Sequence, residues 1–183
     1  EPEQRIADNK KDGIDVEIIF PNKGLAMWAT PDPVFANAQC AVWNDWAWEQ
    51  FGPHKAEMVP VASIATGDLE GSLKEIERVA KMGYRCLSFP CKPMWGAHDV
   101  DHVNYNLPHF DPMWELISEV DLPFTFHVST GRDPRAARGN GGAIINYVSH
   151  SLSPTIEPVA NLCAAGVLER FPKLRFATVE AGI

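Results

Sequence analysis

The chain has 183 residues, 45% of them apolar and 22% charged, which suits one globular domain with a sizeable core. A formal charge of −8 excludes nucleic acid as the main partner, because phosphate binding needs a basic surface. No apolar run approaches the roughly 20 residues that a membrane-spanning helix requires, and the opening EPEQRIADNKKDG lacks the apolar segment of a signal peptide.

Strand and helix signals alternate along the chain. DVEIIFP (15–21) reads as a strand closed by Pro21-Asn22. Residues 31–52 form a helical stretch rich in Ala, Gln and Trp, ended by Gly52-Pro53, and its WNDWAWEQFG cluster reads as helix packing. MVPVASIA (58–65) is the next strand. Asp68 then caps a helix in which Leu69, Leu73, Ile76, Val79 and Ala80 recur at helical spacing until Gly83. YRCLSFPC (84–91) is a third strand, and Asp111-Pro112 opens a helix, Asp111 as its cap and proline in the first helical position, whose apolar face is Met113, Trp114, Ile117 and Val120. PFTFHVST (123–130) is the fourth strand, a helical region runs over 143–169 with a restart near Ser153-Pro154, and LRFATVEAG (174–182) is the fifth.

Strands of this length alternating with amphipathic helices imply βα units and a parallel sheet. Neither G-x-G-x-x-G nor a Walker pattern follows any strand, and the unusual polar residues cluster after strand ends, so a (β/α)₈ barrel is expected rather than a doubly wound sheet. Five strands make this a partial barrel, one domain over 1–183 that is incomplete at both ends; the leading glutamate and the terminal strand both suit a piece of a longer chain. Cys40, Cys86, Cys91 and Cys163 form no C-x-x-C pair, and buried free thiols in a reducing cytoplasm explain all four.

His127 is the residue that asks for an explanation. Phe124, Phe126 and Val128 share one face of its strand, while Thr125, His127 and Ser129 share the other. It is either a core histidine with one hydrogen-bond partner or, at the carboxyl end of a barrel strand, a metal ligand or catalyst. Glu180 sits at the end of the last strand, sharing parity with Thr178, and is either ion-paired to Arg85 or Arg132 or catalytic. Arg132 could clamp a substrate carboxylate or be structural. In the loop 91–110, Trp95 could line a pocket, while His98, Asp99, Asp101, His102 and His109 read more simply as a solvated loop tip.

FDPMWELISEVDLPFTFHVSTG, preceded by DGIDVEIIFPN and followed by FPKLRFATVEAGI, resembles the amidohydrolase-related family of metal-dependent barrels, in the group similar to aminocarboxymuconate-semialdehyde decarboxylase and the aromatic acid decarboxylases. That family's site uses His-x-His from the first strand, a histidine from the fifth and an aspartate from the eighth. The resemblance makes the strands numbers two to six and His127 the fifth-strand ligand. No H-x-H occurs, and Glu180 stands where a catalytic histidine is frequent. It implies a metal-dependent decarboxylase or hydrolase of a small organic acid, aromatic acids included, that uses Zn²⁺ or, second, Mn²⁺. Glu180 would be its acid–base group, and Arg132, Asn22 and Trp95 would bind substrate. A homo-oligomer stays open. The contrasting expectation is a barrel fragment without activity, or a metabolite-binding scaffold without chemistry, motivated by the missing histidine.

Overall fold

The computed structural model describes residues 1–93, 104–130 and 136–182. Among the described residues six short strands form the sheets: β1 (Glu17–Ile19), β2 (Met58–Pro60), β3 (Ala62–Ser63), β4 (Leu87–Phe89), β5 (Phe124–His127) and β6 (Phe176–Val179). All pairings are parallel, β1 with β2 and then β3, β4, β5 and β6 in order. Strands β2 and β3 are one extended run that changes neighbour at Val61: its N–H reaches Ile19 O on β1 at 3.1 Å, and the next N–H, on Ala62, reaches Cys86 O at 2.9 Å. Pro60 explains the switch. By alternation its nitrogen faces the β4 side, where proline has no hydrogen to give, so pairing with β4 starts only at Ala62. The anticipated strands are therefore real but shorter than their apolar runs.

The strands follow one another across the sheet in chain order, without the reversal of a doubly wound fold. Such a sheet curls toward closure, and the curl is visible in Phe20 and His127. Phe20 follows β1 and His127 ends β5, strands three spacings apart, about 14 Å on a flat sheet, yet their ring centroids lie 5.2 Å apart. The fold is thus a partial (β/α)₈ barrel.

The outer face of the sheet is apolar. Leu87, Phe124 and Phe176 stand at one level and Phe89 and Phe126 at the next. They pack against Ile76 and Val79 of α3 (Leu69–Met82) and against Met113, Trp114 and Ile117 of α4 (Asp111–Val120). Rings stack through this layer, Phe89 on Phe124 at 5.1 Å and Phe124 on Phe176 at 5.7 Å. The inner face is polar: Ser63, Ser88 and Thr125 share one level, with His127 above them on β5.

Helix boundaries follow local chemistry. Asp32 caps α2 (Pro33–Phe51) through Val34 N and Phe35 N, and Asp68 caps α3 through Gly71 N. Gly83 ends α3 with φ +103, and a Cβ there would stand 3.1 Å from the Trp48 ring. Left-handed backbone costs a non-glycine residue about 1–2 kcal/mol, so Gly83→Ala is expected to lower unfolding free energy by about 2 kcal/mol in urea melts. Asp111 is not the cap expected of it. It lies inside α4, the residue before it is Phe110, and its carboxylate instead holds Arg170 at 2.6 Å.

The region 143–169 is segmented rather than one restarted helix. It comprises α5 (Gly142–Ile145), a π-helical turn over Asn146–Leu152, a short 3₁₀ turn, α6 (Ile156–Ala164) and α7 (Val167–Arg170). The amino-terminal α1 (Pro2–Lys11) had no apolar signal because it buries nothing. Polar contacts tie it down instead: Arg5 pairs with Glu17, and Asn9 Nδ2 donates to Glu17 Oε2 at 2.9 Å. Among the described residues no helix is long and apolar enough to cross a membrane.

Helix α2 is apolar beyond what the core needs. Its inner side supplies Ala36, Cys40, Asn44 and Ala47 to the interior. Its outer side exposes Phe35, Val42 and Trp46, which with Trp43 and Met27 line a groove of about 520 Å³. Trp48 packs on Tyr84 as helix packing requires, but Trp46 does not follow it inward.

Candidate functional site

His127 ends β5 and is 5% exposed. Its Nδ1 lies 2.9 Å from Val128 O. A carbonyl can only accept, so this hydrogen bond requires the proton on Nδ1 and leaves the lone pair on Nε2. That is the tautomer a histidine needs to ligate a metal through Nε2 while its other nitrogen is held by a carbonyl. Phe20 covers the ring on one side. One level deeper, the Ser63 and Ser88 hydroxyls are buried without a hydrogen-bond partner among the described residues, whereas Thr125 donates to Leu87 O at 3.2 Å.

The backbone after His127 forms a tight turn. Thr130 N donates to His127 O at 3.3 Å, and Ser129 in third place has φ +72, the signature of a type II turn. Strand alternation therefore stops at His127: Thr125 and His127 share the inner face as expected, but Ser129 lies beyond the strand and takes its direction from the turn. Thr130 Oγ1 donates to His127 O at 2.6 Å and accepts from Cys91 N at 3.0 Å. Cys91 Sγ adds a weaker contact to the same carbonyl at 3.4 Å. Next to this node, the fully buried Tyr105 donates to Pro90 O at 2.8 Å and lies 2.7 Å from Thr66 Oγ1, tying the segment after β3 to that after β4. Nothing in the local pattern around Thr66, Tyr105 or Thr130 singles them out, since each acts on a carbonyl or hydroxyl distant in sequence.

Glu180 follows β6 at the same mouth. It is exposed, has φ +56, and makes no ion pair with Arg85 among the described residues. Thr178 pairs with Phe126 on the helix side of the sheet, so the parity expected to join Glu180 to Thr178 does not aim it inward; the left-handed backbone sets its direction. Asn22 is exposed after β1, also at the carboxyl end. Arg132 and Trp95, with His98, Asp99, Asp101 and His102, lie outside the described residues, while His109 is exposed, not at a loop tip but in the 3₁₀ turn that leads into α4.

A metal ion needs more than His127. Among the described residues no group of three or more His, Cys, Asp or Glu could hold one. The single histidine nonetheless fits the role, being buried, tautomerically fixed and on the inner face. The thiols do not compete for it. Burial pushes Cys40 up to about 12 and Cys86 and Cys91 up to about 11, so they stay protonated near neutral pH. All four cysteines are free, but Cys163 is exposed rather than buried as expected. Ellman's reagent at pH 8 is expected to label Cys163 promptly and the other three only on unfolding; rapid labelling of two or more would contradict this burial.

A parallel sheet in chain order, curled around a polar inner face with a histidine at its carboxyl mouth, defines a barrel of the kind that carries its site on βα loops. The chain belongs to the amidohydrolase family, whose model matches residues 1–183. No curated protein sequence matches it. Among solved structures it is similar to an amidohydrolase from Mycobacterium avium subsp. paratuberculosis K-10, with TM-score 0.81 and 20% identity over 100% of this chain and 48% of that one. It is also similar to a dihydroxybenzoic acid decarboxylase from Polaromonas sp. JS666 with bound manganese and 2-nitroresorcinol, with TM-score 0.74 and 20% identity over 96% and 53%. A third is a 5-carboxyvanillate decarboxylase from Novosphingobium aromaticivorans DSM 12444 with bound manganese, with TM-score 0.74 and 21% identity over 96% and 48%. The chain thus spans about half the length of these structures.

Proposed function

We propose that the full-length protein is a metal-dependent decarboxylase of a small aromatic hydroxy acid. The observation that carries the reading is His127, a buried strand-end imidazole with its Nδ1 proton held by a carbonyl, in a barrel of this family. His127 Nε2 would supply one ligand to the ion. Manganese in two of the similar structures favours Mn²⁺ over the Zn²⁺ that the sequence resemblance put first. Once bound, the ion would supply Lewis-acid polarisation of a substrate oxygen.

Glu180, at the mouth beside β5, is the proposed general acid. Its proton passes to the ring carbon that bears the carboxylate. The bond to the carboxylate carbon then breaks, its electron pair returns to the ring, and CO₂ leaves, with Glu180 left ionised until it is reprotonated. Asn22, Arg132 and Trp95 are the proposed substrate contacts, the first from the segment after β1. The inner-face position of His127, covered by Phe20, favours a flat substrate that enters from the carboxyl mouth.

The test is CO₂ release from ortho-hydroxybenzoates by metal-stripped and Mn²⁺-reloaded full-length protein. Release that depends on the ion and falls sharply in Glu180→Gln is the expected result. Reloaded protein that binds Mn²⁺ yet releases no CO₂ from any such acid would sink the decarboxylase reading.

A further inference from the structure

We propose that Thr130 is a positioning residue for His127, acting through the turn that fixes the imidazole tautomer. The inference rests on the reading of His127 as a metal ligand, but its physical content is separable from that reading. The hydrogen bond that holds Nδ1 goes to Val128 O, which belongs to the central peptide of the turn His127–Thr130. The left-handed Ser129 sets how that peptide is presented, and serine does not favour φ +72 by itself. Something must hold the turn closed. The main-chain bond from Thr130 N to His127 O is long, at 3.3 Å.

The Thr130 hydroxyl makes the short contact, 2.6 Å to the same carbonyl, and its own oxygen is anchored by Cys91 N at 3.0 Å. One buried hydroxyl therefore links the end of β4 to the end of β5 and closes the turn. Its single hydrogen goes to His127 O, because a carbonyl cannot donate and the alternative acceptor, Cys91 Sγ, is farther away at 3.4 Å. Without that clamp, a 128–129 peptide free to rotate would take Val128 O from Nδ1. The ring would then populate the form with its proton on Nε2, which cannot ligate there. Threonine here acts on the metal through histidine without touching either the ion or the substrate.

The experiment compares wild type, Thr130→Ser and Thr130→Val in the full-length protein. The ring nitrogens of His127 are read by nitrogen-15 NMR in the metal-free state at alkaline pH, with the signals assigned by their loss in His127→Gln. Mn²⁺ affinity is read by titration followed by electron paramagnetic resonance. Wild type and Thr130→Ser are expected to show a single form with the proton on Nδ1. Thr130→Val is expected to show both forms, with Mn²⁺ affinity lowered about tenfold, the low end of what loss of an outer-shell partner produces.

A wild-type ring protonated on Nε2 overturns the proposal before any variant is made. So does a Thr130→Val protein with the wild-type ring form, or a Thr130→Ser protein that behaves like Thr130→Val. If His127→Gln instead binds Mn²⁺ as well as wild type, the metal-ligand reading fails, while the tautomer comparison still decides the clamp.

Discussion

His127→Ala in the full-length protein is expected to lower Mn²⁺ affinity by more than 100-fold and to remove measurable decarboxylation. The reasoning runs from the tautomer. With its proton held on Nδ1 by Val128 O, the ring offers a metal only Nε2, and alanine offers nothing. Loss of an outer-shell partner typically costs 10–100-fold in affinity, so loss of the ligand itself is expected to exceed that range. Stability is expected to change much less, by about 1 kcal/mol, because one neutral hydrogen bond and the Phe20 contact are removed without stranding a buried charge. Elemental analysis of the purified variant, beside a urea melt, separates the two effects. A variant that retains a full equivalent of metal would show that His127 is a core histidine after all.

Asn44→Leu is expected to destabilise the protein by about 4 kcal/mol, the largest stability effect anticipated here. Strand β1 ends at Ile19, yet the neighbouring strand continues to Ser63, whose N–H and C=O on that side have lost their strand partner. Asn44 on α2 replaces it. Its Oδ1 accepts from Ser63 N at 2.7 Å, and its Nδ2 donates to Ser63 O at 2.9 Å and to Glu75 Oε1 at 2.6 Å. Leucine nearly matches the volume but leaves two main-chain groups buried and unpaired, each worth roughly 1–3 kcal/mol.

Glu75 would keep its Arg78 partner at 2.8 Å, so no bare charge results and the loss stays finite. Asn44→Asp is expected to be no better, because a second carboxylate would face Glu75. A chemical melt of Asn44→Leu within about 1 kcal/mol of wild type would show that water or a shifted chain satisfies Ser63.

Much of this architecture is legible without coordinates. Apolar runs at strand length, Asp68 before helical periodicity and Gly83 after it are local signals, and the Asp68 cap and the left-handed glycine are where the pattern puts them. Where local signals failed, the reasons differ. Helix α1 is held by charge and buries no residue, so it left no periodic trace. Asp111 looks like a cap because aspartate before proline usually is one, but Arg170, 59 residues away, claims its carboxylate. Trp46 sits in a cluster that reads as core, yet a helix face cannot be assigned when nearly every position is apolar.

By itself the sequence determined the parallel α/β class, the polar inner face of the fourth anticipated strand and the one histidine on it. Each of these depends only on residues two to four positions apart. Tertiary structure decided the rest. It brought Phe20 onto His127 across a curled sheet, carried Ser129 and Glu180 off the strand alternation through left-handed backbone, and joined Cys91 to Thr130 across 39 residues. A hydrogen bond between distant main-chain and side-chain atoms leaves no spacing to read. Alternation fixes the face of the sheet on which a residue stands, but only the folded chain decides which atoms close around it.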